Sequence, residues 1–216
     1  MIKKTRKEEK HMGIYIAVFA IGYLIGSINF SVILSRKMAG FDLREKGSKN
    51  AGTTNMLRTV GKKGAAMVLI ADILKGVLAV GIARLISGDV NEAIACQIAA
   101  FAVVLGHTFP IFFEFRGGKG VATSIGVLLV INWQIGLICI VYGVLMIVLT
   151  RMVSLGSITA AILFPVLTVF IRSHYIADGF NYIIFGVIMA CFVLFNHRGN
   201  IKRLNAGTEN RISFKK

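Results

Sequence analysis

Long apolar segments are the feature of this sequence that most restricts its fold. A helix needs about 20 apolar residues to cross the ~30 Å hydrocarbon core of a membrane. Of the 216 residues, 56% are hydrophobic and only 16% are charged, whereas a soluble domain has about 25% charged residues. The sequence therefore predicts an all-α polytopic membrane protein in which residues 1–216 form a single integral membrane domain. The apolar segments lie at about 14–35, 64–86, 93–113, 121–132, 133–150, 153–171 and 179–196.

The placement of charge predicts how these segments cross the membrane. Basic residues cluster at 36–63, with eight Lys and Arg against two acidic residues, and recur after the third segment and in the tail from Arg198. Cytoplasmic loops are enriched in Lys and Arg, and seven spans put all these clusters on one side. Merging 121–132 with 133–150 would send the basic tail outside. We therefore predict seven transmembrane helices, with the N-terminus outside and the C-terminus in the cytoplasm.

The basic N-terminal extension, residues 1–12, does not fit this topology. Its first ten residues, MIKKTRKEEK, carry five Lys and Arg, which would favour the cytoplasm. The asymmetry among the loops involves more residues and more loops, so the predicted topology follows the loops. A start of translation at Met12 would remove the conflict.

The formal net charge of +15 raises the question of nucleic-acid binding. A nucleic-acid-binding domain displays its basic residues on a folded polar surface, whereas here they alternate with segments too apolar to face water. Membrane topology and an anionic ligand explain the charge better, and we predict no nucleic-acid partner. The sequence has no Cys and His spacing typical of a metal site, so we also predict no metal and no cofactor.

Three polar segments, at about 36–63, 106–123 and 197–211, interrupt the apolar pattern, and we predict that all face the cytoplasm. In the first, residues 45–65 read EKGSKNAGTTNMLRTVGKKGA. Glycine lets the backbone turn and expose its N–H groups, and a phosphate needs several donors and a bidentate Arg. The alternative is a solvated loop against anionic lipids, but such a loop should contain more acidic residues and Pro. The donors are Ser48, Asn50, Thr54, Asn55 and Arg58.

The second polar segment combines GHTFP at 106–110 with GGKG at 117–120, just before an apolar segment. Glycines that open a helix gather free backbone N–H groups at the positive end of its dipole, and Lys119 adds a charge there. The G-x-x-x-x-G-K-[ST] spacing of a P-loop is absent, so nucleotide binding is not supported. Two interpretations of His107 stay open: a ligand, or a helix-terminal histidine of purely structural use.

The third polar segment follows the last apolar segment and contains His197 and Asn200. Histidine is the natural acid or base near neutral pH, and the amide of Asn can polarise a carbonyl oxygen. Their i, i+3 spacing would place both on one helix face. The alternative is a basic tail whose long side chains extend toward the membrane interface.

Two ionisable residues, Asp72 and Lys75, lie inside the second apolar segment. Charged groups at membrane depth are costly and are usually paired or functional. We favour a structural ion pair over a catalytic role, and expect it to form the floor of a pocket below the first polar segment.

The three polar segments together resemble the bacterial acyl-phosphate-dependent glycerol-3-phosphate acyltransferases, the PlsY family. The family pattern G-S-x-N-x-G-x-T-N-x-x-R-x-x-G matches residues 47–61. The patterns G-H-x-[FY]-P and G-G-K-G-V-A-T match 106–110 and 117–123, and H-R-x-N-I-x-R-L-x-x-G-x-E matches 197–209. The motifs occur in the same order across nearly the whole chain. One departure is Asn29, where many members have Pro.

This resemblance implies a seven-helix fold in the bacterial plasma membrane, with the three motifs and the active site on the cytoplasmic side. It also implies that an acyl phosphate donates its acyl group to the 1-position of sn-glycerol 3-phosphate, among membrane lipids, giving lysophosphatidic acid and inorganic phosphate. The matched catalytic positions are Ser48, Arg58, His197 and Asn200. The matched substrate-binding positions are Asn50, Thr54, Asn55, His107, Gly117, Gly118, Lys119 and Gly120, and those with a structural role are Asp72, Lys75 and Glu209.

The sequence also leaves a function of another class open, a membrane transporter or channel for an anionic phosphorylated solute. Transporters commonly show internal repeats and midplane substrate sites; no repeat is visible here. A covalent acyl-enzyme is not expected, because no Ser-His-Asp arrangement is visible. The H-x-x-x-x-D motif of thioester-using acyltransferases is also missing, since His174 and Asp178 have the wrong spacing.

Overall fold

The computed structural model describes residues 2–88, 90–171 and 179–212, and within these ranges it is helical, with no β-strand. The segment that holds His174 and Asp178 lies outside the described residues. Two short 3-10 turns, Leu43–Glu45 and Ile111–Phe113, lie in the polar segments. The helices are α1 Ile2–Gly26, α2 Phe30–Ala39, α3 Thr53–Thr59, α4 Lys62–Ile86, α5 Glu92–Thr108, α6 Val121–Ile131, α7 Trp133–Thr150, α8 Val153–Phe170, α9 Gly179–Asn196 and α10 Arg198–Asn205.

The described part of the chain has five helical segments long and apolar enough to cross a membrane. There are six if the bent pair α9 and α10 counts as one span. The prediction of an all-α, multi-pass chain is therefore confirmed. Helix α6 has only 11 residues. At ~1.5 Å per residue it extends ~16 Å, which is less than the ~30 Å hydrocarbon core. The count of seven spans and the orientation of the termini stay predictions. The five segments are Glu9–Ala39, Lys62–Ile86, Glu92–Phe113, Trp133–Thr150 and Val153–Phe170.

The first apolar segment is not one continuous helix, as the predicted range 14–35 implied. Helix α1 ends at Gly26 and α2 begins at Phe30. The Oδ1 atom of Asn29 accepts hydrogen bonds from the backbone N–H of Val32 at 3.3 Å and from Ser31 Oγ at 2.7 Å. Asn is a favoured N-cap residue because its side chain satisfies a free N–H of the first turn. Asn29 thus starts a new helix inside an apolar run.

The division of the next apolar stretch at Asn132–Trp133 is confirmed. Helix α6 ends at Ile131 and α7 begins at Trp133. The side chain of Asn132 caps α7, since its Oδ1 accepts from the backbone N–H of Ile135 at 3.2 Å. The prediction of this break rested on the placement of charge, and the structure adds that a polar cap residue marks it inside the apolar run.

The chain forms two compact units, residues 1–131 and 132–216. In the first unit, α1 packs against α5 and α4 packs against α6. Helix α1 packs closely at two glycines: a Cβ atom at Gly22 would lie 3.0 Å from the carbonyl oxygen of Ala99, and one at Gly26 would collide with the backbone of Val103. Small residues let membrane helices approach closely in this way.

The second unit packs α7 against α8 and α8 against α9. Gly143 of α7 faces Gly156 of α8. Phe164 of α8 makes edge-on ring contacts with Tyr182 and Phe185 of α9, each at a centroid distance of 6.1 Å. Small residues and aromatic rings therefore supply the helix contacts of this unit.

We expect Gly126→Ala to destabilise the first unit and Gly81→Ala to leave its stability unchanged or slightly raised. A Cβ atom at Gly126 of α6 would collide with the backbone of Ile73 in α4, whereas nothing lies within 4 Å of one at Gly81. Overpacking typically costs about 1–3 kcal/mol. Thermal unfolding of both variants in detergent tests this, and equal unfolding temperatures would contradict the tight α4–α6 contact.

Candidate active site

Asn55 of α3 shapes the loop that carries the first polar motif. Its side chain is 1% exposed. Its Oδ1 accepts from the backbone N–H of Ser48 at 2.9 Å, and its Nδ2 donates to the carbonyls of Leu43 and Lys46 at 3.1 and 3.0 Å. Gly47 has φ +58° and passes so close that a Cβ atom would collide with Asn55 Oδ1. The amide of Asn55 therefore holds the loop, which puts it behind the surface that a ligand would contact.

The other predicted ligands of this segment lie nearer the surface. Ser48 and Arg58 are exposed, and Asn50 and Thr54 are half-buried. Ser48 follows the left-handed Gly47, so the loop turns sharply just before its hydroxyl. Two hydroxyls, an amide and a guanidinium are thus presented on a framework fixed from below by Asn55.

The sequence analysis missed the role of Arg44, which was counted only as one of the basic residues. Its guanidinium is 7% exposed and contacts the carboxylate of Asp42, with Nη2 2.9 Å from Oδ2. Its Nη1 donates to the carbonyl of Phe113 at 2.7 Å. Arg44 therefore ties the first polar segment to the second. The Asp-x-Arg spacing just before the first motif was the available signal, but the Phe113 contact spans 69 positions.

The hydrogen bonds from Arg44 hold the pKa of Asp42 well below its usual range. Arg36 adds a further bond, with its Nη2 2.7 Å from Asp42 Oδ2. A carboxylate that accepts several charged hydrogen bonds resists protonation. Asp42 is therefore ionised at neutral pH, and it fixes the guanidinium of Arg44 toward Phe113.

The glycine loop of the second polar segment folds back over the end of α5. The backbone N–H of Gly117 donates to the carbonyl of Thr108 at 3.0 Å, and that of Gly118 donates to the carbonyl of His107 at 3.1 Å. Gly120 has φ +84° and directly precedes α6, whose first turn closes from the Ser124 N–H to the Gly120 carbonyl at 2.8 Å. The prediction that these glycines open an apolar helix is confirmed. The loop delivers the free N–H groups of that helix end.

Gly118 lies between two walls that leave no space for a side chain. A Cβ atom there would collide with Nε2 of His107 and would lie 2.6 Å from the carbonyl oxygen of Ala51. Ala51 belongs to the first polar segment and His107 to the second. The structure therefore brings these two segments into contact at Gly118, and half-buried Lys119 follows at once.

The predicted ion pair inside α4 is present. Lys75 Nζ lies 2.9 Å from Asp72 Oδ1, and both side chains are buried. Lys75 Nζ also lies 2.8 Å from Nδ1 of His107. The pair thus reaches the histidine that backs the glycine loop, and His107, only 4% exposed, is packed between Lys75 and Gly118.

The third polar segment belongs to the second unit. The helix axis bends by 66° between Asn181–Asn196 and Arg198–Asn205, with His197 at the bend. The buried ring of His197 has its Nδ1 2.8 Å from the carbonyl of Val193. Because a carbonyl only accepts, this contact makes Nδ1 the protonated nitrogen and leaves the lone pair of the neutral ring on Nε2.

Glu209 organises the rest of that segment. Its Oε1 accepts from Nδ2 of Asn200 at 2.8 Å, and its Oε2 accepts from Nε of Arg203 at 2.9 Å. The Asn200 amide, buried in the first turn of α10, is therefore held in one orientation by a carboxylate. Within the ranges that the structure describes, no three His, Cys, Asp or Glu side chains come together as a group that could hold a metal ion.

Comparisons with known proteins agree on one family. Residues 16–207 match the sequence profile described as "Glycerol-3-phosphate acyltransferase". A protein of that name from Thermoanaerobacter pseudethanolicus is 47% identical, with 90% of this chain and 94% of the relative covered. One from Clostridioides difficile is 41% identical, with 94% and 97% covered.

Two solved structures share the fold. Both are crystal structures of PlsY (YgiH), described as an integral membrane glycerol 3-phosphate acyltransferase. The glycerol 3-phosphate form has a TM-score of 0.81 and 34% identity, with 92% of this chain and 96% of that chain covered. The lysophosphatidic acid form has a TM-score of 0.80 and 31% identity, with 92% and 95% covered.

We expect Asp42→Asn to lower stability at pH 7 by about 1.5–3 kcal/mol, the range for hydrogen bonds to charged groups. The folded-state pKa of Asp42 lies below its unfolded value of about 4. Its contribution is therefore complete above that pH and is lost as the pH falls further. The difference between the two proteins should begin to shrink below pH ~4 and should keep shrinking as the pH falls toward the lower folded-state pKa. Thermal unfolding between pH ~3 and ~7 measures this, with Glu45→Gln, an exposed acid of the same loop, as the control. Parallel curves for wild type and Asp42→Asn would contradict it.

Proposed function

This chain belongs to the glycerol-3-phosphate acyltransferase family, and from that premise we propose that it transfers an acyl group from an acyl phosphate to the 1-position of sn-glycerol 3-phosphate. The products are lysophosphatidic acid and inorganic phosphate. The observation that carries the proposal is the contact of the first two polar segments at Gly118, between Ala51 and His107. It joins two donor-rich, cationic segments, and both proposed reactants carry phosphate.

We assign the phosphate of glycerol 3-phosphate to Lys119, Arg58 and Ser48. A guanidinium offers paired donors that match phosphate oxygens, and an ammonium adds a point charge. We assign the acyl phosphate to the backbone near Gly117–Gly120. The N–H groups of Gly117 and Gly118 donate to the carbonyls of Thr108 and His107, so the donors are the free N–H groups at the start of α6, which favours an anion. Asn50 and Thr54 are further ligands, whereas Asn55 and His107 support the loops from behind, since both are buried against backbone.

The reaction itself requires little covalent help from the protein. The primary hydroxyl oxygen of glycerol 3-phosphate attacks the acyl carbonyl carbon, and the bond from that carbon to the phosphate oxygen breaks. The hydroxyl proton passes to Nε2 of His197 and from there to the departing phosphate, and Asn200 polarises the carbonyl oxygen. Because an acyl phosphate is already activated, alignment of the two reactants supplies much of the rate; well-oriented reactants gain about 7–11 kcal/mol.

We further propose seven transmembrane helices, with the N-terminus outside and the three polar segments facing the cytoplasm of a bacterial plasma membrane. The apolar helices support this arrangement, since they leave lipid-compatible surface for a fatty acyl chain. A water-soluble phosphorylated acceptor and a lipid-like donor would then meet where the polar segments border the membrane.

Purified protein in detergent, given synthetic acyl phosphate and glycerol 3-phosphate, should release inorganic phosphate and lysophosphatidic acid in equal amounts. Replacing acyl phosphate with acyl-CoA tests the choice of donor. Turnover with acyl-CoA but not with acyl phosphate would contradict the proposed donor. Lys119→Ala should lose most activity, whereas Lys63→Ala, an exposed lysine of α4, should keep it. Binding of glycerol 3-phosphate without any acyl transfer would favour the transporter instead.

We expect His197→Ala to lower kcat by about 10²–10⁴-fold, the usual contribution of a general base, while binding of glycerol 3-phosphate survives. Turnover and binding are measured on the same preparation, with Lys202→Ala, an exposed residue of α10, as the control. Turnover close to wild type would remove His197 from proton transfer and assign that step to a substrate phosphate oxygen.

A further inference from the structure

The ammonium of Lys75 makes more contacts than an ion pair requires. Besides Asp72 Oδ1 at 2.9 Å and His107 Nδ1 at 2.8 Å, its Nζ donates to the carbonyls of Gly26 and Ile28, each at 3.2 Å. An ammonium has three N–H donors and no acceptor. The imidazole and the two carbonyls each take one of them, whereas Asp72 Oδ1 lies at ion-pair distance without a hydrogen bond. Lys75 is only 3% exposed, so these groups are its environment.

The two carbonyls lie at the break between α1 and α2. A helix end leaves carbonyls without their intrahelical donors, and inside a membrane each unsatisfied group costs several kcal/mol. Asn29 supplies an acceptor for the start of α2, and Lys75 supplies a donor for the end of α1. The break is therefore stabilised from both sides by side chains.

His107 connects the same ammonium to the glycine loop. Because Lys75 can only donate, Nδ1 of His107 is the acceptor and Nε2 carries the proton. The Nε2 edge of the ring lies against Gly118, whose N–H donates to the carbonyl of the same histidine at 3.1 Å. A ring fixed at Nδ1 thus forms the wall on which Gly118 rests. The break, the ammonium, the ring and the loop all belong to the first unit.

We propose that Lys75 is a positioning residue that, through His107, fixes the backbone of the Gly117–Gly120 loop in the conformation that places the free N–H groups at the start of α6 for a substrate phosphate. The positioning role adds to the proposed function, and its predicted effect on kinetics rests on that function. Asp72 balances the charge of the ammonium, and the broken helix provides the fixed backbone against which Lys75 is held. A lysine that only neutralised Asp72 would need neither the carbonyls nor the histidine.

The double variant Asp72→Asn/Lys75→Met separates the positioning role of Lys75 from its role as the counter-ion of Asp72. Removing Lys75 alone leaves a buried, unpaired carboxylate, which is strongly destabilising, whereas the double variant removes both charges together. Asp72→Asn alone keeps the contacts of Lys75 with His107 and the helix break. Lys63→Met, an exposed lysine of the same helix, is the matched control.

Hydrogen–deuterium exchange of peptides covering residues 111–121 measures the protection of the loop's backbone amides and needs no substrate. We expect the amides of Gly117 and Gly118 to exchange at least ~10-fold faster in the double variant. A tenfold change corresponds to a loss of about 1.4 kcal/mol in the free energy of local opening. Lys63→Met should exchange as wild type, and Asp72→Asn, which keeps the hydrogen bonds of Lys75, should exchange more slowly than the double variant. Residues 197–212 of the second unit serve as the internal reference. A folded double variant whose loop exchange stays within ~2-fold of wild type would overturn the proposal.

His107→Leu tests the same link from its other end and covers the case in which the double variant does not fold. Lys75 then keeps Asp72 and the two carbonyls but loses the ring, so the loop should exchange faster while α4 does not. Unchanged loop exchange in His107→Leu also overturns the proposal.

Kinetics with acyl phosphate add a second readout. We expect kcat/KM for acyl phosphate, the reactant assigned to this loop, to fall at least ~10-fold in a double variant that is still folded. Full activity in a folded double variant would overturn the positioning role. If wild-type protein shows no acyl transfer at all, the proposed function fails, and the exchange experiment still decides the role of Lys75.

Discussion

Inside a membrane, every backbone polar group must find a partner within the protein, and this requirement explains much of the first unit. Helix α1 stops at Gly26 in the middle of an apolar stretch, a position that hydrocarbon alone would not tolerate. The carboxamide of Asn29 and the ammonium of Lys75 make the break possible. The same ammonium reaches His107. The irregular backbone near the candidate site is thus supported by buried polar side chains.

The sequence was sufficient to predict the helices whose ends carry a local signal. Asn132 lies between two apolar runs, and its capping role follows from its position. The break at Gly26 was missed because the apolar run continues through it and its donor, Lys75, lies 47 to 49 positions away. Helix α6 is as apolar as the predicted spans, but it is shorter than the five helical segments that are long enough to cross a membrane.

The candidate site was predictable at the level of residue types and far less at the level of roles. Gly117–Gly120 could be placed before a helix because glycine and an apolar run are read locally. The roles of Arg44 and Asn55 depend on backbone carbonyls that they reach in the folded chain. No pattern of residue types specifies such a contact. Asn55 was predicted as a donor to the ligand and Arg44 only as a basic residue, whereas the structure shows both holding loops in shape.

The confinement of Gly118 has a consequence for chemical inhibition. With the ring of His107 on one side and the carbonyl of Ala51 on the other, position 118 cannot accept even a methyl group without moving α5 or the first polar segment. A compound that gripped the main chain of this loop would depend on atoms common to every amino acid. A single substitution at position 118 could not confer resistance, because any side chain that prevented binding of the compound would also disrupt the loop.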